Sequence, residues 1–115
     1  MRRLDSWAEL GEADARLLER CKAAITEAAP DAEVILYGSR ARGEAAGDSD
    51  YDVIVVVDQP ATTSLEDHIR ASIYPLELET GAVLTLIVYN RQDWASALCR
   101  ATPLRKNVER EGIVL

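Results

Sequence analysis

The most informative segment of this sequence is Gly38-Ser39-Arg40-Ala41-Arg42-Gly43, followed after six residues by Asp50-Tyr51-Asp52. An apolar run, Glu33-Val34-Ile35-Leu36-Tyr37, precedes it, and residues 53–57 after it are all Val or Ile. Such runs predict buried strands, and the second is typical of a central strand covered on both faces. Between the strands, Arg40 to Gly43 predicts one turn of helix, and residues 44–49 predict a polar, flexible loop.

Asp50 and Asp52 are the candidate catalytic residues and metal ligands. Side chains two residues apart on a strand point to the same face, roughly 6.6 Å apart, so these carboxylates would project together while Tyr51 faces the other way. Mg²⁺ prefers oxygen ligands and keeps some of its waters. Two such ions, about 4 Å apart, would clamp the attacking oxygen and the leaving pyrophosphate of an in-line displacement.

Gly38, Ser39, Arg40 and Arg42 are the candidate nucleotide-binding residues. Because Gly has no Cβ, backbone can come close to a ligand at Gly38. The following N–H groups and the Ser39 hydroxyl would hold triphosphate oxygens where the short helix begins. Arg40 and Arg42 would add positive charge, but a short helix places them on different faces, so one of them is expected to be structural.

The same stretch has a plainer interpretation, in which a turn is followed by a strand with acidic residues at its solvent-exposed end. Asp-x-Asp alone and Gly-Ser alone are both common and indicate little. Their combination, flanked by two apolar strands at this separation, is far more specific and favours a functional site.

The rest of the chain predicts a small α+β domain. Residues 6–29 predict a helix capped by Ser6, and residues 64–80 predict another, capped by Ser64, which Pro75 is expected to kink or divide. A third strand is predicted over 82–89, a helix over 91–101 and a final helix over 103–111. This order fits a mixed sheet of three or four strands packed with helices, in one domain over residues 1–115. The apolar tail 113–115 would either cover its own core or pair with another subunit.

The composition excludes several classes of protein. The chain has 13 basic and 20 acidic side chains, a net charge of -7, whereas bulk nucleic-acid binding needs a surplus of Lys and Arg. A pocket for one nucleotide stays open, because a divalent cation can balance the charge. No apolar stretch approaches the ~18 residues of a membrane span, and no secretory signal is recognisable. Cys21 and Cys99 are expected to be reduced fillers in a cytoplasmic protein.

The segments 38–43 and 49–52 together resemble the signature of the minimal nucleotidyltransferases, a branch of the DNA polymerase β superfamily. The matching elements span roughly residues 20 to 90, and the ending from Val108 to Leu115 is also similar to this branch. The resemblance implies the nucleotidyltransferase fold, binding of ATP or another NTP with Mg²⁺, and transfer of a nucleoside monophosphate to a hydroxyl. By this resemblance, Gly38 and Ser39 hold the triphosphate, while Asp50 and Asp52 hold the metal ions.

The resemblance also implies a partner. Members of this branch are often encoded beside a HEPN-domain protein and act as its antitoxin, and some attach AMP to a tyrosine of that partner. A single domain of this size includes no obvious acceptor-binding domain, so a second polypeptide or a homodimer is expected.

One residue departs from the family pattern. Active members usually present a third carboxylate on the next core strand, and Thr85 stands at the equivalent place in Leu84-Thr85-Leu86-Ile87-Val88. Threonine supplies neither a negative charge nor a base at neutral pH. Asp58 is expected at the far end of its strand, and Glu77 and Glu79 would reach the site only if their helix turned inward.

Two functions therefore remain open at the level of sequence. The first is a Mg²⁺-dependent nucleotidyltransferase that acts on a hydroxyl of a protein or a small molecule. The second is a catalytically weak or inactive interaction module that neutralises a helical partner by binding alone.

Overall fold

The structure is a computed structural model that describes residues 1–5, 10–44 and 50–115. The predicted helix start at Ser6 and the predicted loop over 45–49 lie outside the described residues. The described elements, in chain order, are β1 Arg2–Arg3, α1 Glu12–Ala28, β2 Glu33–Tyr37, α2 Ser39–Arg42, β3 Tyr51–Val57, α3 Thr63–Thr80, β4 Leu84–Asn90, α4 Arg91–Ala95, α5 Ala97–Arg100, α6 Pro103–Glu111 and β5 Ile113–Val114.

The strands form one mixed sheet in the order β1-β5-β2-β3-β4. The central strand β3 pairs antiparallel with β2 and parallel with β4. This confirms the α+β class, but the predicted count of three or four strands was wrong, because the described residues alone contribute five to the sheet. The strands that were missed are β1 and β5, each of two residues, which is too short to show a period-2 pattern.

Both faces of β3 are buried, which confirms the prediction from its apolar run. Tyr51, Val53, Val55 and Val57 face a core that α1 and α3 cover. Ile54 and Val56 face a second, smaller core that includes residues of α4 and α6. Asp52 precedes Ile54 by two residues and so opens this second face.

Three predicted helices have different boundaries in the structure. The first was predicted over residues 6–29, but residues 10 and 11 are not helical and α1 begins at Glu12, after Gly11. The helix α3 is capped by Thr62, whose side chain accepts a hydrogen bond from the Leu65 N–H, and not by Ser64. It continues through Pro75 without a division. Proline leaves the carbonyl four residues earlier without a partner, and both Ala71 and Pro75 are exposed, so water can satisfy that group.

The predicted helix over 91–101 is interrupted at Ser96. This residue is extended, with φ -64° and ψ 153°, and its side chain accepts a hydrogen bond from the Cys99 N–H. A serine hydroxyl that bonds nearby backbone favours a new cap over continuation of a helix. The segment therefore folds as α4 and α5.

The apolar tail packs on its own chain. Ile113 is buried, β5 pairs with β2, and the Leu115 N–H donates to the Val34 carbonyl at 2.9 Å. Of the two interpretations left open by the sequence, the structure supports the tail as part of its own sheet. In the described part of the chain, no helix combines the length and the apolar character that crossing a membrane requires.

Candidate functional site

Gly38 and Asp52 approach closely where β2 ends and β3 begins. Tyr37 is the antiparallel partner of Asp52, so the chain turns at Gly38 directly beside this carboxylate. Gly38 has φ +79° and ψ -161°, a conformation essentially confined to glycine. A Cβ at this position would lie under 3.0 Å from Asp52 Oδ2 and 3.2 Å from its Cγ. Only glycine therefore lets the turn lie against the carboxylate without a shift.

Negative charge is concentrated around Asp52. Asp52 is half-buried, and Asp50, one residue before β3, is exposed. Burial raises the pKa of Asp52, and the charges of Asp50 and Glu111 raise it further, while Arg42 lowers it. These carboxylates repel one another at a partly desolvated strand end, and a bound cation would relieve that repulsion.

The carboxylate oxygens around Asp52 are of the kind that a hard divalent cation prefers. Within residues 1–5, 10–44 and 50–115, no three acidic, histidine or cysteine side chains are arranged as a metal-binding group. Mg²⁺ is commonly held by one or two carboxylates, with waters and substrate phosphates completing its shell. Asp50 and Asp52 are the oxygen donors that would serve in this way.

Arg40 and Arg42 lie on different sides of the site, as was predicted from their positions on a short helix. Arg40 is only 10% exposed, pairs with Asp14 at 3.1 Å and lies 4.2 Å above the centre of the Tyr51 ring. The Tyr51 hydroxyl donates to the same Asp14 carboxylate at 2.6 Å. Burial is the larger cause and this carboxylate the smaller cause that together raise the pKa of Tyr51 to about 12. Arg40 is thus held on the Tyr51 face, whereas the charge of Arg42 acts on Asp52.

Ser39 is the first residue of α2 and directly follows Gly38. It is half-buried. The helix is a single turn that ends at Gly43 in the left-handed conformation, so its aligned dipoles are few. Anion binding here would depend on individual N–H groups, the Ser39 hydroxyl and Arg42.

Glu111 is a member of this cluster that was not among the predicted site residues, although it lies within the ending 108–115 that resembles the minimal nucleotidyltransferases. Its Oε1 accepts the Gly38 N–H at 3.2 Å, and its Oε2 accepts Arg42 Nη1 at 2.9 Å. The two residues in the first of these contacts are 73 positions apart, and no local motif connects them. Only the return of β5 to the sheet beside β2 brings the end of α6 to the Gly38 turn.

Tyr37 was also missed, although its place directly before Gly38 was a usable signal. Burial raises the pKa of the Tyr37 hydroxyl first, and the nearby charge of Asp52 raises it further. The side chain packs against the second core beside Asp52, its cross-strand partner.

Thr85 lies beside Asp52 on the neighbouring strand. The parallel register pairs Asp52 with Thr85, and Thr85 is exposed. The other carboxylates considered as substitutes have different partners: Asp58 accepts Arg91 Nε at 2.6 Å, Glu77 accepts the Leu84 N–H at 3.1 Å, and Glu79 pairs with Arg20. The place next to Asp52 is thus occupied by a neutral hydroxyl.

Comparisons with known proteins agree with this architecture. One chain in a solved structure described as "Crystal structure of the toxin-antitoxin with AMP-PNP" superposes with a TM-score of 0.60 and 16% identity, over 84% of this chain and 69% of that one. At this identity the likeness concerns the fold alone. No curated protein matches the chain. The family profile of the nucleotidyltransferase domain matches residues 17–115. Because this match covers far more than half of the chain, the protein belongs to the nucleotidyltransferase domain family.

Proposed function

We propose that this protein is a Mg²⁺-dependent nucleotidyltransferase that moves a nucleoside monophosphate from ATP or another NTP to a hydroxyl group of a protein or a small molecule. Asp50 and Asp52 would hold the metal ions. Gly38, Ser39 and Arg42 would hold the phosphates. Arg40 would support the site from the Tyr51 face, because its ion pair with Asp14 and its ring contact keep it there.

The observation that carries this proposal is the fit of Gly38 against Asp52. The backbone is held in a glycine-only conformation within contact distance of a carboxylate. That conformation costs about 1–3 kcal/mol for any residue with a Cβ. A plain turn into a strand requires neither the conformation nor the contact, whereas the two together bring backbone N–H groups and a carboxylate to one place, where both could act on one ligand.

The proposed chemistry is a displacement at the α-phosphorus of the nucleotide. The acceptor oxygen forms a bond to this phosphorus, the bond to the β-phosphate oxygen breaks, pyrophosphate leaves and the acceptor proton passes to solvent or to a base. A divalent cation supplies charge neutralisation and orients the phosphate oxygens when it is bound. The protein contributes the position of its two carboxylates, the donors of the Gly38 turn and the positive charge of Arg42.

The proposal also includes the partner of the protein and the compartment in which it acts. The chain would act in the cytoplasm with a second polypeptide, such as a HEPN-domain partner, or as a homodimer. The resemblance of its motifs to minimal nucleotidyltransferases supports this, as does the likeness in fold to a chain from a toxin–antitoxin structure.

A transfer assay tests the enzymatic proposal. Purified protein is incubated with ATP radiolabelled at its α-phosphate, with Mg²⁺ and with a lysate as a source of acceptors. Wild-type protein should label a discrete acceptor and release pyrophosphate, and Asp50→Asn and Asp52→Asn should abolish both while remaining folded. Label transfer at the wild-type rate by either variant would overturn the assignment of these carboxylates.

One observation favours the interaction module as a second candidate. The neutral, exposed Thr85 stands beside Asp52, where a third carboxylate would help deprotonate the acceptor. A protein that acts by binding alone should still neutralise its partner when Asp50 and Asp52 are both changed to Asn. Loss of neutralisation by this double variant would refute the binding-only function.

A further inference from the structure

The carboxylate of Glu111 occupies two donors of the proposed phosphate site at once. One oxygen accepts the Gly38 N–H and the other accepts Arg42, and the side chain is only 13% exposed. A bound phosphate also accepts hydrogen bonds from backbone N–H groups and from guanidinium groups, so the Glu111 carboxylate has the hydrogen-bonding pattern of a phosphate. In this arrangement Glu111 satisfies groups that a triphosphate would otherwise satisfy.

Glu111 also adds unfavourable charge for an incoming nucleotide. It raises the pKa of Asp52, as Asp50 does, so its negative charge is felt at the same carboxylate. A triphosphate that approaches this turn meets Glu111 both as a competitor for Arg42 and as a like charge. The competition is strongest while the carboxylate remains partly desolvated.

The backbone that carries Glu111 is fixed by its neighbours. Val108 is buried, the Gly112 N–H donates to the Val108 carbonyl at 2.7 Å, and Ile113 pairs with Leu36. Release of Gly38 and Arg42 is thus a rotation of one side chain and needs no movement of α6. Such a rotation is fast compared with the motion of a whole helix.

We infer that Glu111 is a positioning residue that holds the Gly38 turn and Arg42 in the empty protein and is displaced by the phosphates of the nucleotide. The inference rests on the proposed function, because it concerns the same donors. Its consequence is that Glu111 lowers nucleotide affinity while it preorganises the empty site.

The test compares Glu111→Gln with Glu44→Gln by calorimetric titration with a non-hydrolysable ATP analogue in the presence of Mg²⁺. Glutamine keeps an oxygen for the Gly38 N–H and removes the charge. Glu44 accepts Arg42 Nε at 2.9 Å and is exposed, so its variant removes a charge from the same arginine without touching Gly38. Thermal unfolding of each variant checks that it is folded.

Glu111→Gln is expected to bind the analogue about twofold to fivefold more tightly than wild type, the range for loss of an ion pair with a partly exposed arginine. The gain should shrink at high salt, and Glu44→Gln should change the affinity less. Unchanged or weaker binding by a folded Glu111→Gln protein, where wild type binds, would overturn this inference alone. Binding by neither protein would overturn the proposed function and the inference with it.

Discussion

Gly38→Ala is the substitution for which the structure gives the sharpest expectation. The backbone at Gly38 has φ +79° and ψ -161°, a region that costs a residue with a Cβ about 1–3 kcal/mol. The added methyl group would also overlap Asp52 Oδ2 and lie 3.2 Å from Cγ and 3.4 Å from Cβ. The carboxylate has to rotate away to remove this overlap, so nucleotide binding should fall together with stability.

Gly81→Ala is the matched control. Gly81 also has a positive φ, +73°, but a Cβ there meets nothing within 4 Å. Its ψ of 2° is near the left-handed region, where alanine costs about 1–2 kcal/mol. Gly38→Ala should therefore lose about 1 kcal/mol or more beyond the loss of Gly81→Ala, and only Gly38→Ala should lose nucleotide affinity.

Urea unfolding and titration with an ATP analogue measure both quantities. The double variant Gly38→Ala with Asp52→Ala removes the overlapping carboxylate, so it should be more stable than the sum of the two single changes predicts. A Gly38→Ala protein that was no less stable than Gly81→Ala and bound nucleotide like wild type would contradict both the strain and the overlap at Gly38. Additive free energies in the double variant would contradict the overlap with Asp52 specifically.

Three further predictions concern single side chains of the site. The pKa of Asp52 is raised by burial and by Asp50, so its ionised form lowers the stability of the folded protein above that raised pKa, and this effect disappears below the ordinary value of 3.8. Asp52→Asn should therefore have a higher Tm than wild type at pH 7, and the difference should vanish on acidification. A lower Tm of the variant at pH 7 would contradict this sign. Arg40→Ala should lower the free energy of unfolding in urea by about 2 kcal/mol, because it removes a partly buried ion pair, but the folded variant should still bind nucleotide. Arg42→Ala should weaken nucleotide binding with little change in stability. The reverse pattern would exchange the roles of the two arginines. Thr85→Asp places a carboxylate in register with Asp52 and should raise the transfer rate by about tenfold or more if the wild-type site lacks a base. An unchanged rate in a labelling assay would show that the site does not lack a base at this place.

The sequence predicted the central part of the fold because strong local signals coincide there. The apolar residues 53–57 determine β3, and the turn at Gly38 determines the end of β2. The place of Thr85 came from the resemblance to the minimal nucleotidyltransferases, and the strand register pairs it with Asp52. These features depend on short segments with a clear period and a clear breaker.

The remaining features depend on contacts between distant segments. The strands β1 and β5 have two residues each and exist because β5 pairs with β2 and β1 pairs with the other edge of β5. Glu111 belongs to the site for the same reason. The cap at Thr62 and the break at Ser96 depend on side-chain hydrogen bonds, and several neighbouring Ser and Thr residues could make equivalent bonds in the sequence alone.

The most direct test of the metal–triphosphate site is calorimetric titration of the protein with a non-hydrolysable ATP analogue, with and without Mg²⁺, for wild type and for Asp52→Asn. The proposed site predicts binding that requires Mg²⁺ in the wild-type protein and is lost in the folded variant. Binding that is independent of Mg²⁺, or undiminished in Asp52→Asn, would contradict the assignment of Asp52 as a metal ligand.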